Sequence, residues 1–259
     1  MKLYLDQWNG NETPGVAPYI RSASDKQERI GGYTKLVNGQ WIEVTWEIPD
    51  TDGDMIDEVG FLLESYTRTS EKTLAMVYLD EFRVSGKADY RIDMKKQRRS
   101  FAAVTPFSTD HGAWTLEDGK LNLLHLEPAF AYTGGYYTEN CEITVPVTPR
   151  HGESHLVTGR ALGAQRCYAA GMNGYGRLAI MKNDFGFCTL NERAFDWKTD
   201  QTYQLTLRCI GDRLALLVDG KEVLEAEDAA YTHGMFGCGS ISAGRTDFGD
   251  FGRSEGAHV

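Results

Sequence analysis

Several things are scarce in this chain of 259 residues, and each scarcity closes off a class of function. No apolar run approaches the roughly 20 residues that cross a bilayer as a helix. No basic-then-apolar segment of the kind that directs secretion opens the sequence. Positive charge is in deficit, with 27 Lys and Arg against 37 Asp and Glu and a formal net charge of -10. An acidic surface argues against nucleic acid and anionic membrane as partners, and suits a soluble protein that meets neutral ligands. The deficit is steepest early: residues 1–86 hold 15 acidic and 8 basic side chains, the remainder 22 and 19. Cysteines number five, with no CxxC and no His/Cys pair at zinc spacing. Cys141, Cys167, Cys188, Cys209 and Cys238 read as small buried apolar side chains in a reducing compartment, so a cytoplasmic location is expected.

Catalytic signatures are scarce too. The chain has no Gly-x-Ser-x-Gly elbow, phosphate loop or dinucleotide fingerprint. Glycoside hydrolysis needs two carboxylates opposed across a groove. Glu225 and Glu227 alternate but precede a turn, so an active enzyme is not expected. His151 and His155 flank a turn and a strand start, which does not suit a metal.

What the chain does have is strands. From Tyr203 to Gly220 apolar side chains alternate with period two on both sides of Gly211-Asp212, and Asp219-Gly220 closes the second half. Both dipeptides supply the positive φ of tight hairpins. Similar short runs fill the rest, and helical periodicity is lacking. The expected fold class is all-β: two packed antiparallel β-sandwiches of the jelly-roll type, over residues 1–86 and 87–259. The first block should contain strands 2–8, 15–22, 33–37, 40–48, 58–66 and 74–84, with a hairpin at Asn38-Gly39. The second should contain, among others, a strand over 136–147. Six strands are lean for a sandwich, and Leu3-Tyr4-Leu5 begins at once on an apolar strand. A piece of a larger polypeptide is therefore expected.

Candidate contact residues are aromatic. Tyr132, Tyr136, Tyr137 and Tyr175 lie in Gly-rich stretches, and tyrosine offers contact area at low entropy cost. One of Tyr136 and Tyr137 should face inward on its strand. Trp114 and Trp197 read as core. Trp41 and Trp46, five apart, should face opposite sides of one strand, leaving one available; Trp46 is taken as the ligand contact, with Trp8 and Tyr19 as alternatives. The carboxylates of Asp50–Glu58 depart from the calcium-loop pattern and read as a solvated turn. Lys87, Arg91, Lys95, Lys96, Arg98 and Arg99 read as a solvated strand face.

Residues Trp114–Leu121, Gly159-Arg160 leading to Tyr168, Leu216–Gly220, Gly234-x-x-Gly237 and Asp247–Phe251 resemble the laminin-G-like or concanavalin-like jelly rolls attached to bacterial glycoside hydrolases. Trp41–Pro49, Ile56–Gly60 and Val77–Phe82 resemble the later part of a galactose-binding-like carbohydrate module. The arrangement is similar to the tail that follows bacterial ADP-ribosylglycohydrolase-like catalytic domains. The resemblance implies a non-catalytic carbohydrate-binding pair, accessory to an upstream glycan- or ADP-ribose-processing domain, with an oligosaccharide as partner. Alternatives are a module that braces a catalytic domain or a dimer, and a glycoside hydrolase with unrecognised carboxylates. By the same resemblance Arg160 grips sugar hydroxyls, with Tyr168 stacking on the ring beside it. A structural calcium would sit at Asp80 and Glu81 near the last strand of the first module; no other cofactor is implied.

Overall fold

The computed structural model describes residues 1–6, 14–23, 25–51, 54, 56–64, 76–85, 90–100 and 103–255. The chain divides into two compact units, Met1–Lys87 and Ala88–Val259. The described strands are paired antiparallel throughout, apart from one isolated parallel bridge between Leu5 and Asn38. Among the described residues the only helix is a 3-10 turn, Met94–Lys96, capped by the Asp93 carboxylate.

The first unit has strands β1 (Lys2–Asp6), β2 (Gly15–Ser22), β3 (Glu28–Ile30), β4 (Thr34–Lys35), β5 (Trp41–Glu43), β6 (Ile56–Glu64) and β7 (Met76–Glu81). They form a β5-β1-β7 sheet and a second sheet in which β2 pairs with β6 along one edge and with β3 and β4 along the other. Strand alternation decides what is buried. Leu3 and Leu5 turn inward against Val16, Leu36 and Val44, while Lys2, Tyr4 and Asp6 take the other face. Each such leucine is worth about 1.5–3 kcal/mol of transfer free energy. The Asn38-Gly39 turn forms with Gly39 at φ +75°, but it does not close a hairpin: β4 pairs with β2, whereas β5 pairs with β1. The expected 40–48 strand ends at Glu43, so Trp41 and Trp46 do not share a strand.

The second unit continues with β8 (Tyr90–Ile92), β9 (Arg99–Ser100), β10 (Ala103–Val104), β11 (Ser108–Thr109), β12 (Ala113–Glu117), β13 (Lys120–His125), β14 (Ala129–Thr133), β15 (Cys141–His151) and β16 (Ser154–Gly163). Then follow β17 (Arg166–Asn173), β18 (Arg177–Asp184), β19 (Phe187–Ala194), β20 (Tyr203–Ile210), β21 (Arg213–Val218), β22 (Lys221–Glu227), β23 (Met235–Ser240), β24 (Gly244–Phe248) and β25 (Phe251–Glu255). Seven strands run β11-β14-β23-β16-β17-β18-β19 in one sheet; the other runs β12-β13-β24-β15-β20-β21-β22, with β25 and β8 added beside β15. The hairpins read from the sequence form, since Ile210 pairs with Arg213 across Gly211-Asp212, and Val218 with Lys221 across Asp219-Gly220. Asp219 and Gly220 take φ +50° and +78°, as the twist of a tight hairpin requires.

The core lies between these sheets. Ile143, Val145, Leu205 and Leu207 of the larger sheet are fully buried, as are Val157, Ala170 and Ile180 of the smaller. The sheets approach closely at Gly159, where a Cβ would lie 3.2–3.4 Å from Cys209 Sγ, Leu207 and Ile143. The opposite face of the seven-stranded sheet is closed by its own side chains. Phe130 stacks on Tyr132 at 6.0 Å and on Phe187 at 5.6 Å, above Leu156, Ala169, Ala179 and Met181. Trp114 and Trp197 are buried, as are four of the cysteines; Cys188 is exposed, which corrects its reading as core.

Candidate functional site

The expected binding pair, Arg160 and Tyr168, proves to be internal. β16 slips register between Thr158 and Ala161 against β23, and between Gly159 and Gly163 against β17. Such a bulge bends the strand and re-aims a side chain. Arg160 sits in it at φ +48° and is 2% exposed. Its guanidinium donates to the carbonyls of Glu139 (3.2 Å), Gly211 (2.6 Å) and Tyr231 (3.0 Å) and to Asn140 Oδ1 (3.3 Å). Those acceptors belong to three separate connections: β14–β15, β20–β21 and β22–β23. Arg160 therefore ties loops together, and its donors are committed to protein rather than offered to hydroxyls. Gly234 rests directly on the bulge, where a Cβ would collide with the Arg160 and Ala161 backbone.

Tyr168 is fully buried and faces the core opposite Gly159. Its hydroxyl donates to the Asp228 carboxylate at 2.6 Å and accepts from the Tyr231 N–H at 3.1 Å. Lys182 completes the arrangement with an ion pair to Asp228 at 2.6 Å. Burial alone would raise the Asp228 carboxyl, but the hydrogen bonds from Lys182, Tyr168 and the Ala230 N–H hold it below the usual carboxylate range. Burial pushes the Tyr168 phenol up, and the Asp228 acceptor pushes it further, so it stays protonated and donating. No ring face of Tyr168 is open to a sugar. The sequence offers these residues as a sugar-binding pair; the bulge and the inward register give them a structural task instead.

Above these pins the structure gathers an exposed aromatic group. The expected strand 136–147 begins only at Cys141, so Tyr136 and Tyr137 fall in the β14–β15 turn and both face solvent, Tyr137 at 84% exposure. Neither is core, contrary to expectation. Their rings meet edge-to-face at 5.3 Å, and His233 from the β22–β23 loop joins them at 5.3 Å from Tyr136 and stacked at 6.2 Å on Tyr137. The Gly234 N–H donates to the Thr138 carbonyl at 2.9 Å and holds the two loops in register. Sequence reading missed His233, because its partners lie almost 100 residues earlier and only the loop pairing unites them.

Tyr175 lies toward the other end of the same sheet, in the β17–β18 turn. It is 67% exposed and stacks on buried Trp197 at 5.7 Å. Trp197 donates through Nε1 to the Gly174 carbonyl, with His155 edge-on at 5.4 Å. Tyr132 belongs to the closed apolar face described above.

In the first unit Trp46 is half-buried, with its indole against Gly31. Trp8 lies outside the described residues. Tyr19 lies over Gly60 and donates to Glu58 at 2.6 Å. Asp80 pairs with Lys2 and Glu81 with Arg83, and successive strand residues point to opposite faces, so these two carboxylates do not converge on a cation. Among the described residues no cluster of three or more His, Cys, Asp or Glu could hold a metal ion. Part of the 50–58 segment lies outside the described residues; of its carboxylates, Asp57 pairs with Lys26 and Glu58 with Arg21. Arg91 pairs with Asp250, and the Lys95 stem lies against Gly119, so these two basic side chains are tied down.

The β22 carboxylates Glu222 and Glu225 are held by Arg213, and Glu222 also meets Arg208. An open depression of about 440 Å³ lies between the edge strands β19 and β22. It is crossed by hydrogen bonds from Asn191 to the Glu225 carbonyl and from Arg193 to the Val223 carbonyl. These side chains occupy the outward carbonyls of an edge strand that would otherwise invite another strand.

No protein-family model and no curated protein matches the chain. Solved structures are similar at the level of fold. The carbohydrate binding module CBM66 from Bacillus subtilis aligns over 58% of this chain and 96% of its own, at 17% identity and a TM-score of 0.54. A Bacillus subtilis protein of unknown function with a galectin-like fold aligns over 67% of this chain and 100% of its own, at 14% identity and 0.53. A prokaryotic lichenase from a mouse hindgut metagenome aligns over 65% and 99%, at 14% identity and 0.49.

Proposed function

We propose that the second unit is a carbohydrate-binding module whose contact surface is the Tyr136–Tyr137–His233 group. The observation that carries this reading is a braced group of three rings, exposed Tyr136 and Tyr137 against half-buried His233, on loops pinned from below by Arg160 and Tyr168. Ring faces stack on the apolar C–H faces of sugars, and pinning removes the ordering cost that a loose loop pays on binding. The fold it shares with a solved carbohydrate-binding module supports the same reading. An open site of this kind binds weakly, at roughly -4 to -8 kcal/mol or millimolar to micromolar Kd. Tethering to a catalytic domain upstream, glycan- or ADP-ribose-processing, would make such affinity useful through effective concentration. The five free thiols favour a reducing location for the assembly.

A glycan array of the full chain, read with calcium and with a chelator, tests this. Binding should appear, and should weaken at least tenfold in Tyr137→Ala/His233→Ala without a fall in Tm. Arg160→Leu should weaken binding and lower Tm together, because it frees the loops. A blank array at high protein concentration, or hits indifferent to Tyr137 and His233, would sink the proposal.

A second reading rests on the first unit. Of 19 exposed large apolar side chains among the described residues, 13 lie before Lys87, including Ile56, Val59 and Leu63 on β6. Exposed apolar side chains at this density suit an interaction face, so this unit fits a bracing role.

A further inference from the structure

The first unit carries a separate aromatic row that the loops of the second unit do not explain. On the β5-β1-β7 sheet, Tyr4 stands directly opposite Trp41 on one side and Tyr78 on the other. The three rings run across the strands, with centroids 5.2 and 6.2 Å apart. Trp41 and Tyr78 are 47% and 45% exposed, while Leu3 and Leu5 occupy the core side of β1. Lys2 lies 5.0 Å over the Trp41 ring and is held by Asp80 at 3.1 Å. Cross-strand aromatic pairs stabilise sheets, by about 0.2–1 kcal/mol each, and that role does not require the rings to stay half-open.

We propose that Trp41, Tyr4 and Tyr78 form a second binding platform, for a single chain of a neutral oligosaccharide. Three observations select that occupant. The rings recur at steps comparable with the repeat of a pyranose chain. Neighbouring planes are tilted by 47° and 56°, which suits one twisting soluble chain and not the flat face of a crystalline polymer. The row is flanked by Glu43, opposite Lys2 on β5, and by Asp80, whose negative charge outweighs Lys2 and turns away anionic chains while offering acceptors to hydroxyls. Stacking of a sugar on this face of Trp41 requires Lys2 to leave it.

Affinity electrophoresis of the full chain through gels containing hydroxyethyl cellulose, xylan or polygalacturonate tests the platform. The loop site is first disabled by Tyr137→Ala/His233→Ala, so that failure of one site is distinguishable from failure of the other. A neutral polymer should still retard this protein, polygalacturonate should not, and adding Trp41→Ala/Tyr78→Ala should weaken the residual retardation at least tenfold. Tyr78→Phe, which keeps the ring, should retain it, and hydrogen exchange over β1 and β7 should confirm that the alanine variant remains folded. Retardation indifferent to Trp41 and Tyr78, or seen with polygalacturonate alone, overturns the proposal. So does a blank with both neutral polymers, or a dimer in sedimentation that Trp41→Ala dissolves, since the row would then be a protein interface.

Discussion

The two units solve the same problem unequally. In Ala88–Val259, β16, β17 and β21 are buried along most of their length, and the central strands of the seven-stranded sheet are covered on both faces. In Met1–Lys87 the core is a handful of aliphatic side chains around Leu3 and Leu5, while β6 and β7 leave most residues exposed or half-buried. The difference follows from layer number and surface scaling: a short chain folded into small sheets cannot cover its apolar surface. Where cover is complete, polar residues become internal pins, as with Arg160, Tyr168 and His155. Where cover is thin, aromatic and aliphatic side chains remain outside and available to partners.

The largest expected effects measure that difference directly. Leu207 is enclosed between two sheets and Leu5 lies in the smaller core, and both are fully buried. Leu→Ala substitutions cost about 2–5 kcal/mol, more where the surroundings cannot collapse into the cavity. Leu207→Ala should fall near 4–5 kcal/mol and Leu5→Ala near 2–3, each read from hydrogen exchange in peptides of its own unit. Equal costs, or a larger cost at Leu5, would show that the first unit is as rigidly enclosed as the second.

A pH experiment separates the units by a different property. All six histidines lie beyond residue 110. His155 is fully buried; its Nε2–H donates to the Gly152 carbonyl at 3.2 Å, so Nδ1 accepts from the Thr246 hydroxyl at 2.7 Å. Burial, opposed in part by the Gly152 bond and aided by His125 and His151, lowers its pKa from 6.5 to about 4. Above pH 6.5 the imidazole is neutral in both folded and unfolded chains. Between pH 6.5 and about 4 the unfolded chain takes up a proton that the folded one refuses, so stability falls as pH falls, by on the order of 3 kcal/mol in all. The Asp228 contribution is lost only below the ordinary carboxylate range and does not overlap this window. Urea titrations at pH 7 and pH 4.5 should show the loss in exchange from the second unit, and His155→Gln should flatten it. An unchanged pH slope in that variant would remove His155 as the cause.

Much of the fold was legible because strand signals are local. Alternation and the Asp219-Gly220 and Gly211-Asp212 turns located β20 and β21 within a residue, and Gly15–Ser22 was read with its observed limits. β3 escaped notice because Glu28-Arg-Ile30 is short, polar and carries no alternation. Asn38-Gly39 misled because a turn signal specifies backbone twist but not which neighbour each strand will pair with. The site was less legible for a related reason. Arg160 and Tyr168 have the residue types of a sugar site, but a two-residue bulge and one register step decide whether a side chain meets solvent or core. The outward face of Tyr4 could be read from Leu3-Tyr4-Leu5; its flanking partners Trp41 and Tyr78 needed the sheet order.

The smallest expected stability effect asks whether the thin cover of the first unit is a deficiency or a surface kept open. Val59 is 44% exposed on β6, opposite Ile20 of β2. Its replacement by threonine preserves β-branching, removes one apolar methyl from solvent contact and buries no new polar group, so it should change unfolding free energy by no more than about 0.5 kcal/mol. If the face serves association, Val59→Thr combined with Leu63→Thr should raise the concentration at which the chain self-associates or captures a separately supplied catalytic domain, with hydrogen exchange within β6 unaltered. Lost protection across β2 and β6 at equal concentration would show instead that these side chains support the sheet itself. The contrast between the units would then reduce to a difference in size.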